Sequence, residues 1–135
     1  MKYYAAIDTN VLVSAMLKWD SIPGNVMEMV FDGSIIPVLN ECIVNEYQNV
    51  LLRPKFHLTE DIVHDVLESF KSQGIYVDAE TIDMELPTVL YEVVMEKLKT
   101  EDTYLVTGNI KHFPQKPFIV TPREMIDIIL ANHVQ

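Results

Sequence analysis

The sequence predicts an α/β fold in which a parallel sheet carries helices on both faces. Short apolar runs alternate along the chain with longer segments of helical periodicity, and the runs are continuously apolar. Continuous apolar strands that alternate with helices are typical of parallel sheets. With 135 residues, of which 49% are hydrophobic, and a mean hydropathy of +0.13, residues 1–135 are expected to form a single domain.

Five strands are predicted from short runs rich in apolar and branched residues. The second strand is placed off the centre of the sheet because Pro37 has no N–H to donate to a ladder. The predicted strands are residues 3–7, 35–39, 75–77, 103–107 and 118–120.

Six helices are predicted from apolar residues at helical spacing. Asn40 is expected to cap the third helix, and Thr9 and Asn10 to cap the first through their side-chain oxygens. Thr59-Glu60-Asp61 is expected to open the fourth helix, with acids in its first turn. Thr121 precedes a proline at the first helical position and an acid at the third, which is typical of a capped start. The predicted helices are residues 11–18, 23–31, 41–51, 59–73, 88–99 and 122–130.

Composition limits the function classes. The formal net charge of −10 opposes non-specific binding to nucleic acid, so a nucleic-acid substrate requires bound divalent cations, a locally basic rim or a basic partner. Cys42 is the only cysteine, which excludes an internal disulfide. No apolar run approaches the 18 to 20 or so residues of a membrane span, and the N-terminus lacks a signal-peptide pattern. We expect a cytoplasmic protein without a membrane partner.

Oxygen-bearing side chains follow the predicted strands. Asp8 comes directly after the first strand, Glu46 lies in the helix after the second, and Asn109 follows the fourth. Carboxylate and amide oxygens suit Mg²⁺ or Mn²⁺, and ligands of open α/β sheets bind beyond the strand ends. Each position also has an ordinary structural explanation. Asp8 fits a helix cap, Glu46 a solvated charge and Asn109 a turn residue.

Other common site patterns are missing from the sequence. Four scattered histidines and one cysteine give no zinc spacing, and neither GxGxxG nor a Walker loop is present. Ser14 has no acid–base partner at a recognisable spacing and is interpreted as a helix residue.

Four motifs together resemble the PIN-domain family. They are DTNVLVSA at residues 8–15, EY at 46–47 before VLLRPKF at 50–56, YLVTGN at 104–109, and IVTPRE at 119–124. The resemblance extends over nearly the whole chain. Within the family, the chain most resembles the branch that comprises toxins of type II toxin–antitoxin systems.

The resemblance implies a three-layer α/β/α fold with a five-stranded parallel sheet in the order 3-2-1-4-5. It implies an endoribonuclease that depends on Mg²⁺ or Mn²⁺, acts on RNA, is restrained by an antitoxin protein and is a homodimer. Asp8 would then be the principal metal ligand and Glu46 the second, while Asn109 occupies the place of a later acid. Further residues would line the site and orient ligands or water: Thr9, Asn10 and Thr107.

The chain departs from the family pattern before the fifth helix. Members usually carry an aspartate there, and an ungapped comparison places Pro87 at that position. Either about four residues that relatives have between Pro87 and Thr88 are absent, or Asp83 or Glu85 reaches the site from a rearranged loop. This departure favours an alternative function, a catalytically impaired PIN-like module that binds RNA or protein. A flavodoxin-like binder of small molecules is a third hypothesis, for which no phosphate loop is present.

Overall fold

The computed structural model describes residues 2–77 and 86–133, with side chains given for all of these except 86–89 and 133. Its five strands form one parallel sheet in the order β3-β2-β1-β4-β5, which confirms the predicted topology. The strands are β1 (Tyr3–Ile7), β2 (Ile35–Leu39), β3 (Ile75–Tyr76), β4 (Thr103–Val106) and β5 (Ile119–Val120).

The strand order reverses between β1 and β4. From β1 the chain builds outward to β2 and β3, then returns to the other side of β1 for β4 and β5. Ile7 is paired with Val106 at the ends of these two neighbouring strands, so the residues that follow them emerge side by side. Such a reversal opens a crevice at the carboxyl edge of the sheet, which is where α/β proteins bind ligands.

Helices cover both faces of the sheet and complete a three-layer α/β/α arrangement. They are α1 (Thr9–Leu17), α2 (Ile22–Phe31), α3 (Glu41–Leu51), α4 (Glu60–Gln73), α5 (Leu86–Lys97) and α6 (Pro122–His133). Two predicted caps form: Asn40 Oδ1 accepts from the Ile43 N–H at 2.8 Å, and Thr121 Oγ1 accepts from the Glu124 N–H at 3.1 Å. Thr59 precedes α4 and also caps it, with its Oγ1 accepting from the Ile62 N–H at 3.3 Å. Within residues 2–77 and 86–133, none of the helices combines the length and the apolarity needed to cross a lipid bilayer.

The predicted cap of the first helix is wrong. Helix α1 begins at Thr9, so Thr9 and Asn10 are its first helical residues, and Asp8 occupies the N-cap position without a side-chain capping bond. The carboxylate of Asp8 is instead bonded to Thr107, a residue distant in sequence. Helix α5 begins at Leu86, two residues before the predicted start, and passes through Pro87 and Thr88 without a break. A proline in the first turn costs no helical hydrogen bond, because the N–H groups there have no intrahelical acceptor.

An aromatic cluster packs three helices against one another. Tyr47 on α3 and Phe70 on α4 are both fully buried, with ring centroids 5.8 Å apart and edge to face. Phe31 on α2 meets Phe70 at 6.5 Å. Because the aromatic rings fix α3 against its neighbours, the helix that carries Glu46 has one defined position.

Candidate functional site

Asp8 lies where the sequence predicts it, at the carboxyl end of the central strand. Its backbone N–H donates to the Val106 carbonyl at 2.9 Å, so the ladder between β1 and β4 extends one residue beyond the strand. The residue is only 8% exposed. A carboxylate this buried requires hydrogen-bond donors or a cation to offset the loss of water.

One donor to Asp8 is the hydroxyl of Thr107. Thr107 Oγ1 donates to Asp8 Oδ2 at 2.7 Å, and the same oxygen accepts from the backbone N–H of Asn109 at 2.9 Å. The N–H of Asn109 therefore directs the Thr107 proton toward the carboxylate. This chain of two bonds fixes the orientation of Asp8 and leaves Oδ1 without a hydrogen-bond partner among the described residues.

Thr9 adds an unsatisfied oxygen beside Asp8. The residue is 3% exposed, and its Oγ1 is buried without a hydrogen-bond partner within the described parts of the chain. Leaving a buried hydroxyl unsatisfied costs about 1–3 kcal/mol. A bound ion or an ordered water that reached this oxygen would remove that cost.

Helix α3 is anchored to the end of β1 by Tyr47, a contact that sequence reasoning missed. The Tyr47 hydroxyl donates a buried hydrogen bond to the carbonyl of Ile7, the residue before Asp8. Burial raises the pKa of Tyr47, the nearby Asp8 carboxylate raises it further, and the bond to Ile7 lowers it. Glu46 precedes Tyr47 in the sequence, so this bond holds the turn that carries Glu46 against the end of the central strand. In the sequence, the only sign of this contact is that a tyrosine directly follows Glu46 in a predicted helix.

Glu46 and Asn109 differ in how far the structure connects them to Asp8. Glu46 is half-buried and has no hydrogen bond or ion pair with any described residue. Asn109 is exposed and joins the site through its backbone, with its side-chain amide free of hydrogen bonds to described residues. Asn10 is exposed in the first turn of α1. The two substitute acids proposed from the sequence, Asp83 and Glu85, lie outside the described residues.

The oxygen donors at this edge of the sheet fit a divalent cation in kind. Mg²⁺ is commonly held by one or two carboxylates together with waters and substrate phosphates. Asp8 carries a carboxylate at this edge, Glu46 carries one on the helix that Tyr47 anchors there, and Asn109 carries an amide oxygen. Among residues 2–77 and 86–133, no group of three acidic, histidine or cysteine side chains is arranged to hold a metal ion. A cation here would therefore rely on two carboxylates, neutral oxygens and solvent.

A comparison with known families matches most of the chain. A sequence model described as PIN domain matches residues 4–111, a span that includes Asp8, Glu46, Thr107 and Asn109. The chain belongs to the PIN-domain family. PIN domains are generally nucleases that act on nucleic acids, and they commonly use divalent ions such as Mg²⁺ or Mn²⁺.

A relative supports the extent of this match. An uncharacterized protein of Methanocaldococcus jannaschii is 26% identical to this PIN domain over 147 aligned residues, which cover 94% of this chain and 92% of the relative. The similarity is therefore distributed over both proteins along nearly their whole length.

Proposed function

We propose that this PIN domain is a metal-dependent endoribonuclease, with Asp8 and Glu46 as ligands of Mg²⁺ or Mn²⁺ and Asn109 as a neutral oxygen ligand. The observation that carries the proposal is the Asp8–Thr107 hydrogen bond at the strand-order reversal, next to the unsatisfied Thr9 oxygen. A buried carboxylate held in one orientation is a better metal ligand than a mobile one, because less freedom is lost on binding.

The proposed residues have separate roles. When bound, the cation would supply an activated water and offset charge on the scissile phosphate. Thr107 binds Asp8 through Oδ2, which leaves Oδ1 of the same carboxylate available to the cation. Tyr47 holds the turn of α3 that carries Glu46 against the end of β1. Asn109 offers its exposed amide oxygen to the cation, and the exposed Asn10 orients ligands or water. Asp83 and Glu85 remain proposed sources of a further carboxylate.

The test is cleavage of a labelled RNA by purified protein with Mn²⁺. Asp8→Asn keeps the size of the side chain and removes its charge, and we expect it to reduce cleavage at least a hundredfold. Asp20→Asn is the matched control, since Asp20 is exposed and has no hydrogen bond or ion pair within the described residues. Equal cleavage by the wild type and Asp8→Asn would contradict the proposed mechanism.

A PIN-like module that binds RNA or protein without cutting is the second proposal. It is favoured by Pro87 in the place of an acid and by the missing three-acid group in the described part of the chain. Calorimetric titration with Mn²⁺ separates the two proposals. The nuclease predicts a saturable site that Asp8→Asn abolishes, whereas the binding module predicts no such site.

The biological setting follows from the sequence resemblance and is proposed on that basis. We propose a single-domain cytoplasmic toxin of a type II toxin–antitoxin system, bound by an antitoxin protein and present as a homodimer. Induced expression should arrest growth for the wild type but not for Asp8→Asn. Light scattering of the purified protein measures the number of subunits directly.

A further inference from the structure

A long stretch of this acidic chain contains no acid. Residues 103–123 include three of the ten lysines and arginines and none of the twenty aspartates and glutamates. The stretch begins with β4 and includes Thr107 and Asn109. The part of the chain that follows the candidate site is therefore positive although the protein as a whole carries a charge of −10.

The loop between β4 and β5 has a defined conformation next to the site. Directly after Asn109 the chain forms a short 3₁₀ turn, Ile110–His112, in which the His112 N–H donates to the Asn109 carbonyl at 3.0 Å. Phe113 then packs into the hydrophobic core at 9% exposure. Because the turn is bonded at one end and anchored by a buried ring at the other, its polar side chains face outward.

Two lysine side chains, Lys111 and Lys116, are exposed on this loop and are here called the loop cations. Lys116 and Ile110 of the 3₁₀ turn both line a hollow of about 260 Å³. Glu124 also lines that hollow, but its Oε1 accepts from the Thr121 N–H at 2.9 Å as part of the helix cap.

The two lysines of the loop are not neutralised by neighbouring acids. Lys71 and Lys99 form ion pairs with Glu68 and Glu96 at 3.4 and 2.8 Å, whereas Lys111 forms none with any described residue. The same holds for Lys116. Lysines without acidic partners are available to neutralise phosphates, which releases the counterions condensed on a nucleic acid.

We infer that the loop cations bind the sugar–phosphate backbone of single-stranded RNA and guide it across the carboxyl edge of the sheet to Asp8. This inference rests on the proposed nuclease function and specifies how its substrate is held. The loop provides the locally basic rim that an acidic nucleic-acid-binding protein needs. Its contacts are to phosphates and so carry no sequence preference.

The test measures binding without cleavage. A fluorescein-labelled single-stranded RNA of fifteen nucleotides is titrated with protein in EDTA and followed by fluorescence anisotropy at several salt concentrations. The double variant Lys111→Ser with Lys116→Ser should raise Kd roughly tenfold and reduce the slope of log K against log salt by about 1.4, since each phosphate contact to a single strand contributes about 0.7. The control double variant, Lys71→Ser with Lys99→Ser, removes the same charge from ion-paired positions.

Each outcome decides the inference. Loss of affinity in the loop variant with the control within twofold of wild type supports it. Equal weakening in both variants, unchanged affinity in the loop variant, or no measurable binding by the wild type overturns it.

Asp8→Asn separates the two proposals, because it should bind the RNA like the wild type. If Asp8→Asn binds RNA normally but abolishes cleavage, and the loop variant also binds normally, the nuclease proposal stands and the role of the loop is wrong. If the loop variant alone loses binding and the wild type never cleaves, the role of the loop stands and the nuclease proposal is wrong.

Discussion

Thr107 donates a hydrogen bond of 2.7 Å to Asp8 across 99 positions of sequence, and both residues directly follow paired strands. The contact explains why Asp8 does not cap the helix that it precedes. It also means that the orientation of the Asp8 carboxylate depends on Thr107, which directly follows β4.

Replacing Thr107 with valine should therefore affect both stability and metal binding. Thr107→Val keeps the volume but removes the donor to a buried carboxylate, so the free energy of unfolding should fall by about 1.5–3 kcal/mol. Because an oriented ligand binds metal better, the affinity for Mn²⁺ should fall about 10–100-fold. Thermal unfolding and calorimetric titration measure the two effects.

Two controls separate orientation from general damage. Thr107→Ser retains the hydroxyl and should keep most of the Mn²⁺ affinity. Thr103→Val alters a buried threonine at the other end of the same strand, where the hydroxyl donates to the Glu101 carbonyl, and should leave Mn²⁺ affinity unchanged. If Thr107→Val and Thr103→Val bind Mn²⁺ equally, Thr107 does not orient the ligand.

Glu46→Gln should weaken Mn²⁺ binding at least about tenfold, because it removes one of two carboxylates from the proposed ligand set. The amide has the same size as the carboxylate, so the thermal midpoint without metal should change little. Glu41→Gln is the control, since Glu41 is exposed in the first turn of the same helix. Equal affinities for the two variants would exclude Glu46 from the site.

Tyr47→Phe should lower the free energy of unfolding by about 1–2 kcal/mol at neutral pH, through loss of the bond to Ile7. The raised pKa of Tyr47 adds a pH dependence. Below about pH 10 the phenol is neutral in both states and contributes no slope. Above it, the unfolded chain loses the proton that the folded protein keeps, so stability falls as pH rises, by up to about 1.4 kcal/mol per pH unit.

Urea unfolding between pH 8 and 12 tests this difference. The Phe variant should lose less stability above pH 10 than the wild type does. Tyr76→Phe changes a tyrosine that is 50% exposed and should leave the wild-type profile intact. Parallel pH profiles for Tyr47→Phe and the wild type would contradict the assignment of the alkaline loss to Tyr47.

Gly74→Ala should destabilise the protein by about 1–3 kcal/mol, because a methyl group there has no room. A Cβ at Gly74 would lie 2.7 Å from the Pro37 carbonyl oxygen and 2.8 Å from that of Phe70. Gly108→Ala is the matched control, since no described atom other than those of Gly108 and its two sequence neighbours lies within 4 Å of the added carbon. Urea denaturation of both variants measures the difference, and similar midpoints would show that β3 can shift away from β2 at little cost.

Local sequence signals predicted most of the fold. Strand β2 and helix α3 have the predicted bounds, because apolar spacing and the Asn40 cap act within a few residues. The site was harder to predict. The bonds of Thr107 to Asp8 and of Tyr47 to Ile7 join residues 99 and 40 positions apart, and no rule of local sequence spacing predicts either bond. The cap predicted at Thr9 and Asn10 is wrong for a different reason, since α1 begins at Thr9 and both residues already lie in its first turn.

The backbone hydrogen bonds of Asp8 and Asn109 imply that the two sides of the site open on different timescales. The Asp8 amide is bonded within the central strand pair, so its hydrogen exchanges with deuterium only when the sheet opens. The Asn109 amide is bonded to a single hydroxyl in an exposed turn and needs only a local fluctuation to exchange. A ligand at this edge should therefore slow exchange at Asn109 far more than at Asp8. The Asp8 side of the site should therefore stay fixed, while the Asn109 side can adjust locally to a bound ligand.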